Sequence, residues 1–167
     1  MGDMTAGKAG RTAPLTPEKA YAQAAARCSV RECCRADWRQ KWKHAGLSDG
    51  DIEKVLIRLE NEGFIDENRY ARAFVHDKLN YEHWGRIKIF TSLLFKGLSH
   101  SDISEALDIV DEEAYVEILQ TVLATKERTL KGVEGYEKKQ KLARFAVGRG
   151  FEASLVFGVL DMVDDGG

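Results

Sequence analysis

Proline is almost missing from this chain. Both of its prolines, Pro14 and Pro17, precede the main body of the sequence, so from Glu18 onward nothing forbids continuous helix. Long apolar runs are missing too. The stretch from Ile87 to Leu94 is short and interrupted by Lys88, far from the roughly 20 apolar residues that a membrane span needs. Cysteine is scarce: Cys28, Cys33 and Cys34 are an odd number crowded into one stretch, a poor disulfide framework. Zinc would need a fourth ligand, and His44 stands at a spacing that matches no standard site.

Catalytic signatures are also absent. There is no G-x-S-x-G, no phosphate-cradling glycine loop and no H-E-x-x-H, and His44, His76, His83 and His100 are scattered along the chain. The sequence therefore predicts a non-enzymatic protein with no catalytic residues, no metal site and no cofactor. Met1 to Pro14 is rich in Gly, Ala and Thr and lacks the apolar core of a secretory signal. It reads as a disordered leader on a cytoplasmic protein.

What is present is an ordinary globular composition, 44% hydrophobic and 31% charged in 167 residues. The net charge of −2 hides an asymmetry: residues 1–46 hold nine Lys/Arg against four Asp/Glu, and residues 47–167 sixteen against twenty-three. A basic front suits phosphate or an acidic partner, and a basic leader alone supplies part of it.

The chain repeats itself. Counted from Gly46-Leu47, Gly97-Leu98 and Gly150-Phe151, apolar residues fall at identical offsets: Ile52, Ile103 and Val156; Val55, Ala106 and Val159; Leu56, Leu107 and Leu160; Leu59, Val110 and Val163. Offsets of three and four are the buried stripe of an amphipathic helix. Ser48 and Ser99 each precede an aspartate by three, a capping pattern, while Glu152 replaces the serine in the third copy.

A second helix precedes each glycine, with Trp38 and Trp42, Ile89 and Leu93, and Leu142 and Ala146 facing inward. A first helix starts at Thr16-Pro17, Asp66 and Asp111. Its inward residues are Tyr21, Ala24, Ala25 and Cys28, then Tyr70, Phe74 and Val75, then Tyr115, Leu119, Val122 and Leu123. The predicted fold is all-α, with three tandem three-helix, helix-turn-helix-like repeats over 16–63, 64–110 and 111–167, the last with a short disordered tail. The third repeat's extra length falls around Leu130 to Gly135. Units this small bury little surface alone, so the repeats are expected to stack into an elongated curved array.

Basic residues supply the candidate contacts. Arg31, Arg35, Arg39 and Lys43 are spaced by four, which lines them along one stripe of the second helix beside Cys34, Trp38 and Trp42. Like charges so spaced repel. An anionic partner, Glu32 and Asp37, or a neighbouring helix would offset that repulsion. Arg35, Arg86 and Lys139 recur eleven residues before the glycines, either lining the side of the array or pairing with acidic residues of the adjoining helix. Tyr81, His83 and Trp84 read first as packing, second as a partner anchor.

The segment Gly63-Phe64-Ile65-Asp66-Glu67-Asn68-Arg69-Tyr70-Ala71-Arg72-Ala73-Phe74-Val75 resembles the RecX family. The likeness continues through Trp84-Gly85-Arg86-Ile87-Lys88-Ile89, Leu94-Phe95-Lys96-Gly97-Leu98, Ile103 to Leu107, Lys141-Leu142-Ala143-Arg144-Phe145 and Arg149-Gly150-Phe151. Cys28-Ser29-Val30-Arg31-Glu32 resembles the family's Ser-x-x-Glu start, but Trp38 and Trp42 stand where Leu-type residues are common.

The resemblance implies a cytoplasmic monomer that binds the RecA filament, lies in its groove and restrains strand exchange, ATP hydrolysis and co-protease activity in DNA repair and the SOS response. The candidate contact residues are Arg31, Arg35, Arg39, Lys43, Arg72, Arg86 and Lys88, with weak nonspecific DNA contact through the basic front. The alternative reading is a helix-turn-helix DNA-binding repressor.

Overall fold

The structure, a computed structural model, describes residues 13–166. The expected leader lies for the most part outside them. The described residues form nine helices and no strand: α1 (Pro17–Cys28), α2 (Arg35–His44), α3 (Asp49–Asn61), α4 (Glu67–Asn80), α5 (Arg86–Phe95), α6 (His100–Asp108), α7 (Glu112–Glu127), α8 (Gly135–Gly148) and α9 (Ala153–Asp165). No helix among them is long and apolar enough to cross a membrane.

The turn from second to third helix is built the same way three times. Gly46, Gly97 and Gly150 take φ of +91°, +83° and +98°, a left-handed conformation that glycine adopts without a Cβ clash. The residue after each donates its N–H back five positions, Leu47 to Trp42, Leu98 to Leu93 and Phe151 to Ala146. This is the Schellman closure, which satisfies a carbonyl orphaned at the helix end. It also drives Leu47, Leu98 and Phe151 into the core, where all three are buried.

Helix starts are local as well. The side chains of Thr16, Asp66 and Asp111 accept the N–H of Lys19, Arg69 and Ala114, and Ser48 and Ser99 accept those of Asp51 and Asp102. The predicted inward stripe holds through Ile52, Val55, Leu56 and Leu59, but the fourth position fails in the other copies. Val110 lies beyond the end of α6, and Val163 is 67% exposed on the last turns of α9. The expected tail is helical as far as Asp165.

The chain divides into two compact units, one ending at Ile65 and the other starting at Asp66. In the first, α1, α2 and α3 close around Ala20, Ala24, Trp38, Trp42, Ile52 and Leu56. Phe64 and Ile65, expected in the second repeat, pack on this first core instead. Trp38 and Trp42, both buried, stack with ring centroids 5.2 Å apart and bring a large apolar surface to this core.

The second unit holds two three-helix groups, α4–α6 and α7–α9, of which α4 packs most closely on α6 and α8 joins α7 to α9. The third group's extra length lies in the longer α7 and in the connection over residues 128–134.

Candidate functional site

The expected arginine stripe is corrected at its first member. Arg31 is not on α2, which begins at Arg35; the N–H of Arg31 is still bonded to the carbonyl of Arg27 at the end of α1, at 3.2 Å. The chain must reverse between the two helices, and Arg31 sits exposed in that turn. Arg35 reaches across to α3, pairing with Glu53 and with Glu60 at 2.9 Å, and Arg39 pairs with Glu53 at 3.1 Å. The two arginines hold the Glu53 carboxyl below its ordinary pKa. The repulsion along the stripe is therefore offset within the first unit. Lys43 is exposed in the last turn of α2, where the helix dipole favours a cation.

The recurring basic position is ion-paired in every copy, with the adjoining helix in two of them. Lys139 on α8 pairs with Asp161 and with Asp164 of α9, the latter at 3.6 Å. Arg86 differs in its partners, which come from the third group: Glu112 on α7 at 2.6 Å and Glu152 at 2.8 Å. Its guanidinium also lies 3.9 Å from the centre of the Tyr115 ring. Its two carboxylate partners raise the Arg86 pKa against the opposing effect of burial, and Arg86 in turn lowers that of Glu112.

Arg86 belongs to a joint that sequence spacing does not reveal. The helix α5 starts without a side-chain cap of its own. Its orphan amides are capped by the third group instead: Gly85 N–H donates to the Arg149 carbonyl at 2.8 Å, Arg86 N–H to the Tyr115 hydroxyl at 3.0 Å, and Ile87 N–H to the Gly150 carbonyl at 3.0 Å. Tyr115 Oη donates onward to Glu152 at 2.7 Å. Glu152 stands at the start of α9 but makes no cap bond there, because its oxygens serve Tyr115 and Arg86. Arg149 donates to the backbone carbonyls of Glu82 and His83. That anchors the loop before α5 to the third group.

The remaining expected residues are Arg72 and Lys88. Arg72 is exposed on α4 at the rim of an apolar groove. Lys88 is half-buried with its ammonium 4.3 Å from the centre of Trp84, which Lys78 approaches at 4.6 Å. Trp84 is half-buried and edge-on to Phe74, as the packing reading expects, while Tyr81 is 75% exposed. Arg35, Arg39 and Lys43 share the first unit; Arg72, Arg86 and Lys88 share the second.

Burial and the neighbouring Cys33 push the Cys28 thiol up to about 12, which favours the protonated form at neutral pH. Among the described residues no group of three or more His, Cys, Asp or Glu is placed to hold a metal ion.

Two charge features bear on nucleic acid. The third helices of the second unit, α6 and α9, contain no lysine or arginine, so neither has the composition of a recognition helix facing phosphate. Residues 126–149 carry eight Lys/Arg against three Asp/Glu, a second basic segment that the division of the chain at residue 46 averages away. Within it Lys138 and Lys141 pair with Glu127 and Glu137, while Lys126 lies over Phe145.

Comparison with known proteins gives this geometry a family. Residues 66–107 match the second three-helix domain of RecX, and residues 112–160 match the third. The chain is 34% identical to a regulatory protein RecX of Prosthecochloris aestuarii, over 86% of this chain and 92% of that protein. It superimposes on a crystal structure of regulatory protein RecX with a TM-score of 0.79 at 24% identity, over 87% of this chain and 73% of that one. RecX from Lactobacillus salivarius gives 0.77 at 19% identity, over 89% of this chain and 96% of that one, and supports the same fold.

Proposed function

The chain belongs to the RecX family, and from that premise we propose that it binds the host's RecA filament and lowers its recombinase, ATPase and co-protease activities. It acts as a cytoplasmic monomer and by contact alone, without chemistry of its own. The observation that carries the reading is the consecutive match of two RecX three-helix domains inside a chain that follows a regulatory protein RecX along most of its length.

Two structural features support it. Arg86, Tyr115 and Glu152 hold α4–α6 and α7–α9 in one register, so contacts made by the two groups are presented together. Contacts that are weak singly then add through effective concentration on a repeating target. The acidic character of α6 and α9 weighs against a repressor that reads the major groove.

The test is the ATP turnover of the host's RecA on single-stranded DNA, measured as this protein is added in substoichiometric amounts, with binding to the same DNA alone as a control. Turnover falls at concentrations well below those that give binding to free DNA. Unchanged turnover together with tight, sequence-dependent duplex binding would move the assignment to a repressor.

A further inference from the structure

An apolar groove of about 310 Å³ opens on the second unit, between the second half of α4, the junction of α6 with α7, and the first turns of α7. Val75, Leu79 and Ala106 lie buried beneath it, and Ile109 at its edge is 67% exposed. The volume is at the small end of ligand-binding pockets, which run from roughly 300 to 1,000 Å³, and suits one or two bulky apolar side chains. Tyr115 lines the groove while its hydroxyl is fixed between Arg86 and Glu152. The joint between the two helix groups thus keeps the groove preformed, which lowers the ordering cost of filling it.

The polar groups around it are Arg72, His76, Asn80 and Asp111. Three of these are engaged: Asn80 donates to the His76 carbonyl at 2.8 Å, His76 faces Asp77 at 3.3 Å, and Asp111 caps α7 through the Ala114 N–H at 2.9 Å. Arg72 is the exception. It is exposed, and among the described residues it has no ion pair or hydrogen bond. A preformed apolar trough with one uncommitted positive charge beside it selects a complementary shape: a bulky apolar side chain with a carboxylate close by.

We propose that this groove docks a segment of the protein partner in which an aliphatic or aromatic side chain enters the trough and a neighbouring carboxylate pairs with Arg72. A nucleic-acid phosphate satisfies Arg72 but leaves the trough empty. The proposal rests on the reading that the partner is the RecA filament, and it assigns the contact to one surface of this chain.

The experiment titrates the full chain, fluorescently labelled, onto host RecA filaments assembled on single-stranded DNA with a slowly hydrolysed ATP analogue. Arg72→Glu reverses the charge, Ile109→Asp places a charge at the trough edge, and Ala114→Trp fills the trough from an exposed helical position. Lys54→Glu on α3 is the control for net charge. Each variant's helix content is checked by circular dichroism; should Ala114→Trp misfold, the two surface variants still decide.

The expected result is at least about a tenfold loss of affinity for each groove variant, more for Arg72→Glu than for Arg72→Lys, with Lys54→Glu near the unaltered chain. Binding by Arg72→Glu and Ile109→Asp as tight as that of the unaltered chain overturns the groove alone. A loss for Arg72→Glu no larger than for Lys54→Glu overturns it too, leaving general charge attraction. No filament binding by the unaltered chain overturns the RecA reading and this docking contact with it.

Discussion

Single residues decide how the two helix groups of the second unit meet. A Cβ built on Gly85 would lie 2.2 Å from the carbonyl carbon of Gly150, and one on Gly150 would lie 2.4 Å from the Lys88 Cβ. Neither neighbour is the flexible end of a side chain, so the backbones must part. Gly85→Ala is expected to destabilise the protein by about 2–4 kcal/mol and to lower its melting temperature. Gly158→Ala, on α9 with nothing within 4 Å of the added carbon, is expected to gain about 0.5–1 kcal/mol. Thermal unfolding of the two variants side by side checks both signs.

Tyr115 carries the second prediction at this scale. The phenol is buried, and burial together with Glu152 raises its pKa, so it remains a neutral donor. Tyr115→Phe leaves the Arg86 amide without its acceptor and Glu152 Oε1 without its donor, while Arg86 still holds Oε2. The expected loss is about 1–3 kcal/mol, read by chemical denaturation. Arg86, Tyr115 and Glu152 could not have been grouped from the sequence, because Arg86 and Glu152 are 66 positions apart and their pairing depends on how two helix groups dock. Glu152 did leave a trace: it breaks the serine pattern of Ser48 and Ser99, and a departure at a repeated cap is where a long-range role can be sought.

At the scale of elements, what is local was legible. The caps at Thr16, Ser48, Asp66, Ser99 and Asp111 and the closing glycines are set by residues within one turn, and the inward stripes, apart from Val110 and Val163, by a period of 3.6. The stripe that included Arg31 was misplaced because four-residue spacing persists through a turn as readily as through a helix. The end of α1 and the start of α2 are fixed by packing of Cys28 and Cys34 into the core rather than by a breaker residue.

The hydrogen bonds and ion pairs that tie carboxylates to other helices predict a pH response. Glu53, Glu62 and Glu112 have lowered pKa values, caused first by Arg35, Tyr21 and Arg86 respectively. A carboxylate with a lowered folded value contributes stability above its unfolded value, about 4.3, and that contribution is lost as pH falls through the folded value. Stability is therefore expected to decline as pH drops below about 4.3. Glu112→Gln should be less stable than the natural chain near neutrality and converge with it in acid. Denaturant midpoints measured across that range test this; a constant difference at every pH would remove the pair from the account.

At the scale of the molecule, self-similarity made the all-α repeat visible, because three copies at 51- and 53-residue spacing repeat the same glycine, cap and stripe. The candidate surface was less legible. Repetition marks what builds the fold, and Arg35, Arg86 and Lys139 recur because each pairs with acidic residues of packed helices. Arg72 does not recur in the repeat and is the uncommitted charge beside the groove. Because backbone bonds from Gly85 and Ile87 cross between helix groups, hydrogen exchange at these two amides should require opening of the whole second unit rather than fraying of α5.

Under the proposed function, this chain recognises the RecA filament itself rather than the DNA within it. The most direct measurement is equilibrium binding of the labelled chain to RecA filaments and, in parallel at the same ionic strength, to the same single-stranded DNA without RecA. Saturable binding to the filament, much tighter than binding to naked DNA, is the expected result. Equal affinity for both, or affinity for the DNA alone, would contradict it.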